Sequence, residues 1–336
     1  MAQRRRKVRS PVGRKVARVA YYLRNLARDL APQALFRRQL VDILRESGRD
    51  APEYISRRVN YYNKLDRVPD NIYYDSDIAH IPMAKSMYYY DLKEHARYFP
   101  RSLKLNYVFG DVTKVPDQPA FVKSRPVGGD NRNAILMKLA KFRHFYFPPD
   151  PLPFADKKPQ LVWRGGRHNP QRVALVRRFQ NHPLCDVGHP GPASDGAPAK
   201  AFLTPAEQMT FKYILSIEGN DVATNLKWIL ASNSLCFMLA PTFETWFMEG
   251  RLEPGRHYVE LAPDFADLED KLLFYEGHPA EALAIVRNAN AYAGQFLDAR
   301  RERFLSLLVM YKYFVVTGQL APDSRLAGLM SSLAIA

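Results

Sequence analysis

Between residues 159 and 290, short apolar runs alternate with stretches of helical spacing, and this alternation constrains the fold more than any other feature. Strands that alternate with helices of about ten residues are typical of a parallel sheet, which binds ligands at the carboxyl ends of its strands. The sequence therefore predicts an α/β fold. The expected elements are strands at 161–163, 213–217, 235–239 and 257–261, helices at 170–180, 222–231 and 265–275, further helices within 279–317, and a loop at 182–200.

The first of these strands runs into a turn that combines two arginines with two glycines. Arg164-Gly165-Gly166-Arg167 is followed by Asn169, a good capping residue, and by Pro170, a good first helical residue. Arg172 lies one turn later. Glycine lets a ligand approach the backbone, arginine can pair two oxygens, and the helix dipole favours an anion. The turn suits a phosphate or diphosphate, although an ordinary surface turn with exposed arginines uses the same residue types.

The strand at 213–217 also ends in a polar turn before a helix. Either Asn220 or Asp221 is expected to cap that helix. The residues expected in its first turns are Val222, Ala223, Thr224, Asn225 and Lys227. A capped helix after any strand needs these residue types, but two such turns in one parallel sheet favour a ligand that carries a nucleotide.

The positive charge is concentrated at the N-terminus. The chain of 336 residues has a net charge of +15, but its first 28 residues hold ten Lys and Arg and no acid, and the other 308 hold 39 basic and 34 acidic residues. Apolar residues in the segment 1–31 recur at helical spacing from Val16 to Leu30, with arginines on the opposite face. Such a helix either lies on an anionic membrane surface or packs on the domain with a solvated basic face. Nucleic-acid binding is less favoured, because no binding motif or aromatic–basic interleaving is present.

Other features exclude several classes. Two cysteines in different segments imply no disulfide framework, and no apolar core follows the basic run, so a secretory signal is not expected. The stretch 226–243 contains polar residues and is not expected to span a membrane. The eight histidines show no paired ligand spacing, so no metal site is expected. P-loop and dinucleotide-binding glycine motifs are absent from the sequence, which argues against those enzyme classes.

The first half of the chain has weaker patterns. Apolar runs at 105–109 and 120–122 predict strands, and five prolines within 148–159 predict a linker. We therefore expect a basic segment at 1–31, a domain at 32–150, a second domain at 159–290 and C-terminal helices at 291–336 that pack back.

Three motifs in order resemble glycosyltransferase family 90. They are W-R-G-G-R-x-x-P-x-R from Trp163, K-Y-x-L-x-x-E-G-N-D-x-A-T-N-L-K-W-x-L-x-S from Lys212, and L-E-P-x-x-H-Y-V from Leu252. The resemblance covers roughly residues 105–315 and is closest to the bacterial lipopolysaccharide-core branch of the family. It implies a GT-B fold of two Rossmann-like domains facing a central cleft, a UDP-sugar donor, inversion at the anomeric carbon, and no metal or other cofactor.

The resemblance also implies positions for the donor. The family's R-G-S-R donor turn matches Arg164 to Arg167, with Gly166 in place of serine, and its downstream arginine matches Arg172. Its second donor loop matches residues 220–225. Animal members end that loop in arginine where this chain has Asn225, so Arg167 or Lys227 would supply that contact.

An inverting transfer needs one carboxylate to take the proton of the acceptor hydroxyl, and fixed positive charge for the leaving diphosphate. The family's base follows a β-type run, and Asp111 is the best match, with Asp117 as the rival; a capping role for Asp111 is the structural alternative. Glu244 is either a partner for the ribose hydroxyls or an ordinary loop carboxylate. Asp75-Ser76-Asp77 is similar to the D-x-D metal motif of other glycosyltransferases, but we expect a turn there.

Together these features predict a metal-independent, inverting transferase that moves a hexose or pentose from a UDP-sugar to a saccharide acceptor in lipopolysaccharide core or surface polysaccharide synthesis. The acceptor is expected to be lipid-linked, and the enzyme to be peripheral on the cytoplasmic face of the cell membrane through residues 1–31. The alternatives are a basic nucleic-acid-binding protein and a UDP-sugar-dependent protein O-glycosyltransferase.

Overall fold

The computed structural model describes residues 11–45, 51–67, 71–193 and 198–322. Residues 1–10 of the basic segment and 323–336 of the C-terminal segment lie outside these ranges. The helices are α1 (Pro11–Leu30), α2 (Gln33–Arg45), α3 (Pro52–Tyr62), α4 (Ser86–Ala96), α5 (Lys141–His144), α6 (Pro170–Phe179), α7 (Pro205–Gln208), α8 (Leu226–Leu230), α9 (Leu268–Gly277), α10 (Pro279–Gly294) and α11 (Ala299–Val316). The strands are β1 (Ser76–Asp77), β2 (Lys104–Val108), β3 (Ala120–Val122), β4 (Ser124–Pro126), β5 (Ala134–Leu136), β6 (Lys158–Arg164), β7 (Cys185–Gly188), β8 (Phe211–Ser216), β9 (Leu235–Met238), β10 (Phe243–Thr245) and β11 (Val259–Glu260).

The chain divides into two compact units. The central unit comprises Arg143–Thr242 and Phe247–Phe296. The N-terminal unit comprises Pro11–Phe142, Phe243–Trp246 and the described residues from Leu297 onward. The central unit thus begins before the proline-rich stretch that the sequence suggests as a linker. Asp150 of that stretch accepts from Lys157 Nζ at 2.8 Å and from Asn233 N at 2.8 Å, so the stretch is packed into the unit.

The central unit is built on a five-stranded parallel sheet with the order β11-β9-β8-β6-β7. Leu161, Val162 and Trp163 of β6 are fully buried, as expected for a parallel strand covered on both faces. Helix α6 begins at Pro170, and the side chain of Asn169 accepts from Gln171 N, which confirms the predicted cap. The predicted α/β class is therefore confirmed.

Two local predictions in this unit are wrong. Residues 182–200 were expected to be a loop, but Cys185–Gly188 forms β7 beside β6. The helix expected from residue 222 begins only at Leu226, so neither Asn220 nor Asp221 caps it. Asn225 precedes the helix and is tied to β8 instead: its Nδ2 donates to Leu215 O at 3.1 Å, and its Oδ1 accepts from Ser216 Oγ at 3.1 Å. These bonds keep the preceding residues in a turn.

The N-terminal unit contains a four-stranded sheet, β1-β2-β3-β5, in which β2, β3 and β5 are parallel and β1 is antiparallel. The segment around Asp75-Ser76-Asp77, expected to be a turn, thus includes the short edge strand β1. Helix α11 packs against α3 and α4 and is buried along nearly its whole length. A separate pair of strands, β4 and β10, is antiparallel.

A buried charged cluster fixes the core of the N-terminal unit. Glu302 of α11 accepts from Lys138 Nζ at 3.0 Å and from Trp246 Nε1 at 2.6 Å, and it pairs with Arg58 Nη1 at 2.8 Å. Tyr62 stacks on Trp246 with ring centroids 3.8 Å apart. Removing one partner of a buried ion pair costs about 3–5 kcal/mol, so this cluster strongly favours one arrangement of α3, α11 and residues 243–246.

The predicted N-terminal helix is confirmed as α1, which ends at Leu30, two residues before Pro32. Across the described residues, helices long and apolar enough to cross a membrane are absent.

Candidate functional site

The two turns singled out in the sequence lie side by side at the carboxyl edge of the central sheet. From β6 the chain passes to β7 on one side of it and then returns to β8 on the other. The connections after β6 and β8 therefore diverge and leave a crevice between neighbouring strands, which is where open parallel sheets bind ligands. Residues 165–169 follow β6 and residues 217–225 follow β8. The structure thus brings together the first loop, 164–172, and the second loop, 217–225.

Arg164, at the end of β6, is committed to contacts within the protein. Its Nη2 donates to both carboxylate oxygens of Asp186 at 2.9 Å, and its Nη1 donates to the main-chain oxygens of Asp186 at 2.7 Å and Trp163 at 3.0 Å. Its Nε donates to Ala201 O at 3.0 Å. Burial alone would raise the pKa of Asp186, but hydrogen bonds from Lys200 and Arg164 hold that pKa below its usual value. All five N–H groups of Arg164 are therefore used to fix the base of the first loop.

The glycines of the first loop differ in their packing. A Cβ at Gly165 would come within 2.4 Å of the buried Trp163 ring, so this position requires glycine. A Cβ at Gly166 would meet the ring of His168, an exposed side chain that is able to move. His189 Nδ1 donates to Gly165 O at 2.8 Å. The first loop is thus packed against Trp163 and bonded to His189, the residue that follows β7.

Arg172, in the first turn of α6, joins the two loops. Its Nε donates to Glu218 O at 2.9 Å, its Nη2 to Ile217 O at 2.8 Å, and its Nη1 reaches Gly166 O at 3.5 Å. Asn169 Nδ2 adds a bond of 3.3 Å to Glu218 O. Burial lowers the pKa of Arg172 from its usual value. The guanidinium thus lies at the junction of both loops and sets their spacing.

The second loop is anchored at both ends. Gly219 N donates to Asp221 O at 2.8 Å, and Asn225 is bound to β8 as described above. Asp221, Val222 and Ala223 are buried, Thr224 is half-buried and Asn220 is exposed. Lys227 is fully buried, and its Nζ lies 2.5 Å from Glu249 Oε1. Because its side chain is fully buried and paired with Glu249, Lys227 does not lie at the surface beside the second loop.

A pocket adjoins the second loop, between the ends of β8 and β9. It contains about 440 Å³ of open space, including its mouth. Its walls are Gln171, Ser216, Glu218, Val222, Ala223, Leu226, Met238, Leu239, Ala240, Pro241, Thr242 and Glu249. Glu218 accepts from Thr242 N at 3.0 Å and from the Thr242 hydroxyl. An apolar wall with a few polar groups is typical of a small-molecule site.

Sequence reasoning assigned no role to Glu218 or Glu249, although both line this pocket. Glu218 stands inside the second motif and was available as a signal. Glu249 lies outside the motifs, and only the fold brings it to the pocket wall and to Lys227 Nζ.

Glu244 belongs to a different unit from the two loops. It lies in β10 of the N-terminal unit, opposite Arg125 of β4. Its Oε1 accepts from Arg125 Nε at 2.8 Å, and the Tyr61 hydroxyl donates to its Oε2. Both Glu244 and Arg125 are buried. The carboxylate neutralises a buried guanidinium, and its assignment to the ribose stays a prediction.

The two candidates for the base lie at opposite edges of the N-terminal sheet. Asp111 follows β2, and its Oδ1 accepts from Lys123 Nζ at 2.6 Å; Lys123 itself follows β3 and is buried. Asp117 precedes β3, and its main-chain oxygen accepts from Asn133, which precedes β5. Because β2, β3 and β5 are parallel, Asp111 lies at the carboxyl edge and Asp117 at the amino edge. The Asp111 side chain is 34% exposed, so its carboxylate is accessible from solvent.

Comparison with known proteins adds an independent finding. The family model described as Glycosyl transferase family 90 matches residues 149–317. O-glucosyltransferase LpsA of Dichelobacter nodosus is 47% identical over 305 residues, which cover 88% of this chain and 95% of that protein. Protein O-glucosyltransferase 3 of Homo sapiens is 26% identical over 166 residues, covering 47% of this chain and 32% of the human protein.

A viral relative has a more limited overlap. An uncharacterized protein of Invertebrate iridescent virus 3 is 30% identical over 240 residues, covering 57% of this chain and 21% of that protein. The family match over half of the chain and the nearly full-length bacterial relative agree with the motifs at both loops. The chain is therefore a glycosyltransferase and belongs to glycosyl transferase family 90.

Proposed function

We propose that this glycosyltransferase moves a hexose from a UDP-sugar to a hydroxyl of a saccharide acceptor, with inversion at the anomeric carbon. Glucose is the first candidate, because the bacterial relative that aligns over nearly its whole length is named an O-glucosyltransferase. The observation that carries the proposal is that Arg172 hydrogen-bonds to both loops at the crevice between β6 and β8. An apolar pocket adjoins them there.

The UDP-sugar donor would bind with its uracil ring in the pocket and its diphosphate over the two loops. Pro241, Leu239 and Leu226 offer an apolar wall for a flat ring, and Glu218 offers carboxylate oxygens beside it. Arg172 and Arg167 would face the diphosphate, as would the main chain of Gly165 and Gly166. Arg164 would act by fixing the first loop through Asp186, since its N–H groups are already used. Fixed cations and main-chain donors stabilise a leaving diphosphate, so we propose that transfer needs no metal ion.

Asp111 is proposed as the general base. Its carboxylate would take the proton of the acceptor hydroxyl while that oxygen forms a bond to the anomeric carbon and the bond to the UDP oxygen breaks. The proton ends on Asp111, and the electron pair leaves with UDP. The Lys123 ammonium, 2.6 Å from the Asp111 carboxylate, would hold that carboxylate in position.

For the whole chain we propose the GT-B class, with the central unit binding the donor and the N-terminal unit supplying the base. We further propose a lipid-linked acceptor in lipopolysaccharide or surface polysaccharide synthesis, and a peripheral position on the inner face of the cell membrane. Protein is the alternative acceptor, because the human relative is named a protein O-glucosyltransferase.

A nucleotide thermal-shift series tests the donor assignment. UDP and UDP-sugars should raise the melting temperature of the protein, whereas ADP and GDP at the same concentration should not. A ligand present at 100 times its Kd stabilises by about 2.7 kcal/mol, which is readily measured. An unchanged melting temperature with every uridine nucleotide would contradict the proposed donor.

A further inference from the structure

Helix α1 carries an apolar stripe that faces solvent. Its members recur at spacings of three and four residues and so share one face of the helix. Their exposed fractions are Val16 62%, Val19 58%, Leu23 62%, Leu26 49% and Leu30 81%. The small residues between them, Ala20 and Ala27, are exposed as well. Soluble proteins rarely leave a continuous stripe of this kind uncovered, so it marks an interaction surface.

The opposite face of α1 is fixed to the N-terminal unit by polar contacts. The Tyr21 hydroxyl donates to Asp91 Oδ1 at 2.7 Å and to Met87 O at 3.2 Å. Asp29 pairs with Arg97 at 3.1 Å, and Arg28 pairs with Glu94 at 3.4 Å. Because these bonds hold the polar face inward, the stripe is the face that α1 presents to the outside.

The exposed charges of α1 and of the next helix, α2, select the partner of the stripe. Arg24 of α1, which borders the stripe, is exposed, as are Arg37 and Arg38 of α2. Asp29 is the only acidic residue between positions 16 and 40, and it is paired as described. A second copy of the chain would bring two such sets of arginines together, and like charges oppose that contact. An anionic lipid surface instead combines an apolar layer with negative headgroups.

We propose that α1 is an interfacial anchor whose stripe enters the outer part of an anionic bilayer while Arg24, at the border of the stripe, contacts lipid headgroups. At a rise of 1.5 Å per residue the stripe extends for about 21 Å, enough for a helix lying in the plane of the surface. The inference deepens the proposed membrane location. It rests on the proposed function only for the identity of the membrane. Its test reads lipid binding and not sugar transfer, so either proposal can fail alone.

Vesicle flotation of the full chain tests the anchor, with one set of vesicles of phosphatidylcholine and another that also contains phosphatidylglycerol. We expect the protein to float with the anionic vesicles and to remain below with the neutral ones, and high salt to reduce binding because exposed charges are screened. The variant Leu23→Ser/Leu26→Ser should lower the partition coefficient at least about tenfold, since two large apolar side chains are lost. Leu273→Ser is the matched control, because Leu273 is an exposed leucine of α9 in the central unit.

The charge component has its own variant, Arg24→Gln/Arg37→Gln/Arg38→Gln, which should also lower binding to anionic vesicles, by about fivefold per residue. Three results would overturn the proposal: no binding to anionic vesicles, equal binding by the parent and the Leu23→Ser/Leu26→Ser variant, or a parent dimer in sedimentation that this variant abolishes. The last result would assign the stripe to contacts between copies of the chain.

Discussion

The Lys123 ammonium lies 2.6 Å from the Asp111 carboxylate at the carboxyl edge of the N-terminal sheet. The two residues follow neighbouring parallel strands, β2 and β3, so the sheet itself fixes their proximity. Lys123 is buried while Asp111 is partly exposed. The buried lysine therefore holds the partly exposed Asp111 carboxylate in a fixed position.

The proposed base predicts a selective loss of transfer in Asp111→Asn. The amide cannot accept the proton of the acceptor hydroxyl, so kcat should fall by about 10²–10⁴. Affinity for UDP should be nearly unchanged, because the loops proposed for the donor belong to the central unit. Steady-state transfer assays and UDP titration by calorimetry measure the two quantities.

Asp117→Asn is the matched control for that experiment, since Asp117 lies at the amino edge of the same sheet. It should retain normal transfer. Normal transfer by Asp111→Asn together with an inactive Asp117→Asn would exchange the two assignments.

UDP binding should be sensitive even to a substitution of Arg172 that conserves its charge. Lysine cannot reach the main-chain oxygens of Gly166, Ile217 and Glu218 together, so Arg172→Lys should weaken UDP binding almost as much as Arg172→Ala. Loss of a charge-assisted contact corresponds to roughly 1.5–3 kcal/mol. Arg177→Ala, an exposed arginine in the last turn of α6, is the control. Unchanged affinity in Arg172→Ala with an intact fold would remove this residue from the site.

Transfer should be independent of divalent metal ions. If arginines and main-chain N–H groups stabilise the leaving diphosphate, EDTA should leave the rate unchanged, and added Mg²⁺ or Mn²⁺ should not raise it. The assay compares initial rates before and after chelation. A rate abolished by EDTA and restored by Mn²⁺ would refute the proposed charge distribution.

Lys312 should give the N-terminal unit a distinctive pH dependence. Burial lowers the pKa of this lysine to about 8, although its Nζ donates to Asn60 Oδ1 at 2.8 Å and to Asn63 O at 3.0 Å. An unfolded lysine has a pKa of about 10.4, so between about pH 8 and pH 10.4 the unfolded state binds more protons than the folded state. Lys312 therefore increases the free energy of unfolding as the pH rises through that window, by at most about 1.4 kcal/mol per pH unit.

Urea unfolding of the parent and of Lys312→Met across this window isolates the effect, because other groups titrate equally in both proteins. The stability of the variant relative to the parent should decrease as the pH rises. A difference that stays constant with pH would show that Lys312 is not held in the low-pKa environment.

The elements predicted best were those with a local signal. The apolar runs of β6, β8 and β9 and the Asn169–Pro170 start of α6 are marked by residues next to each other in the chain. Strand β7 was missed because Cys185–Gly188 is short and includes a charged residue, and only pairing with β6 makes it a strand. The late start of α8 depends on the bonds from Asn225 to β8, which link residues nine and ten positions apart.

The sequence identified the two loops but not the partners of their charged side chains. Arg164 is paired with Asp186, 22 residues away, and Lys227 with Glu249, also 22 residues away. Glu244 is paired with Arg125 across 119 positions. Such pairs form only when distant strands and helices come together, so residue type and spacing alone could not distinguish a ligand contact from an internal ion pair.

The stereochemistry of sugar transfer tests the central claim most directly. The protein would be incubated with UDP-glucose, an α-linked donor, and a saccharide acceptor or water, and the anomeric configuration of the initial product would be read by proton NMR. A single displacement by an oxygen activated by Asp111 predicts release of UDP and a β-configured product. An α-configured product, or no UDP release from any UDP-sugar, would contradict the proposed inverting, UDP-sugar-dependent mechanism.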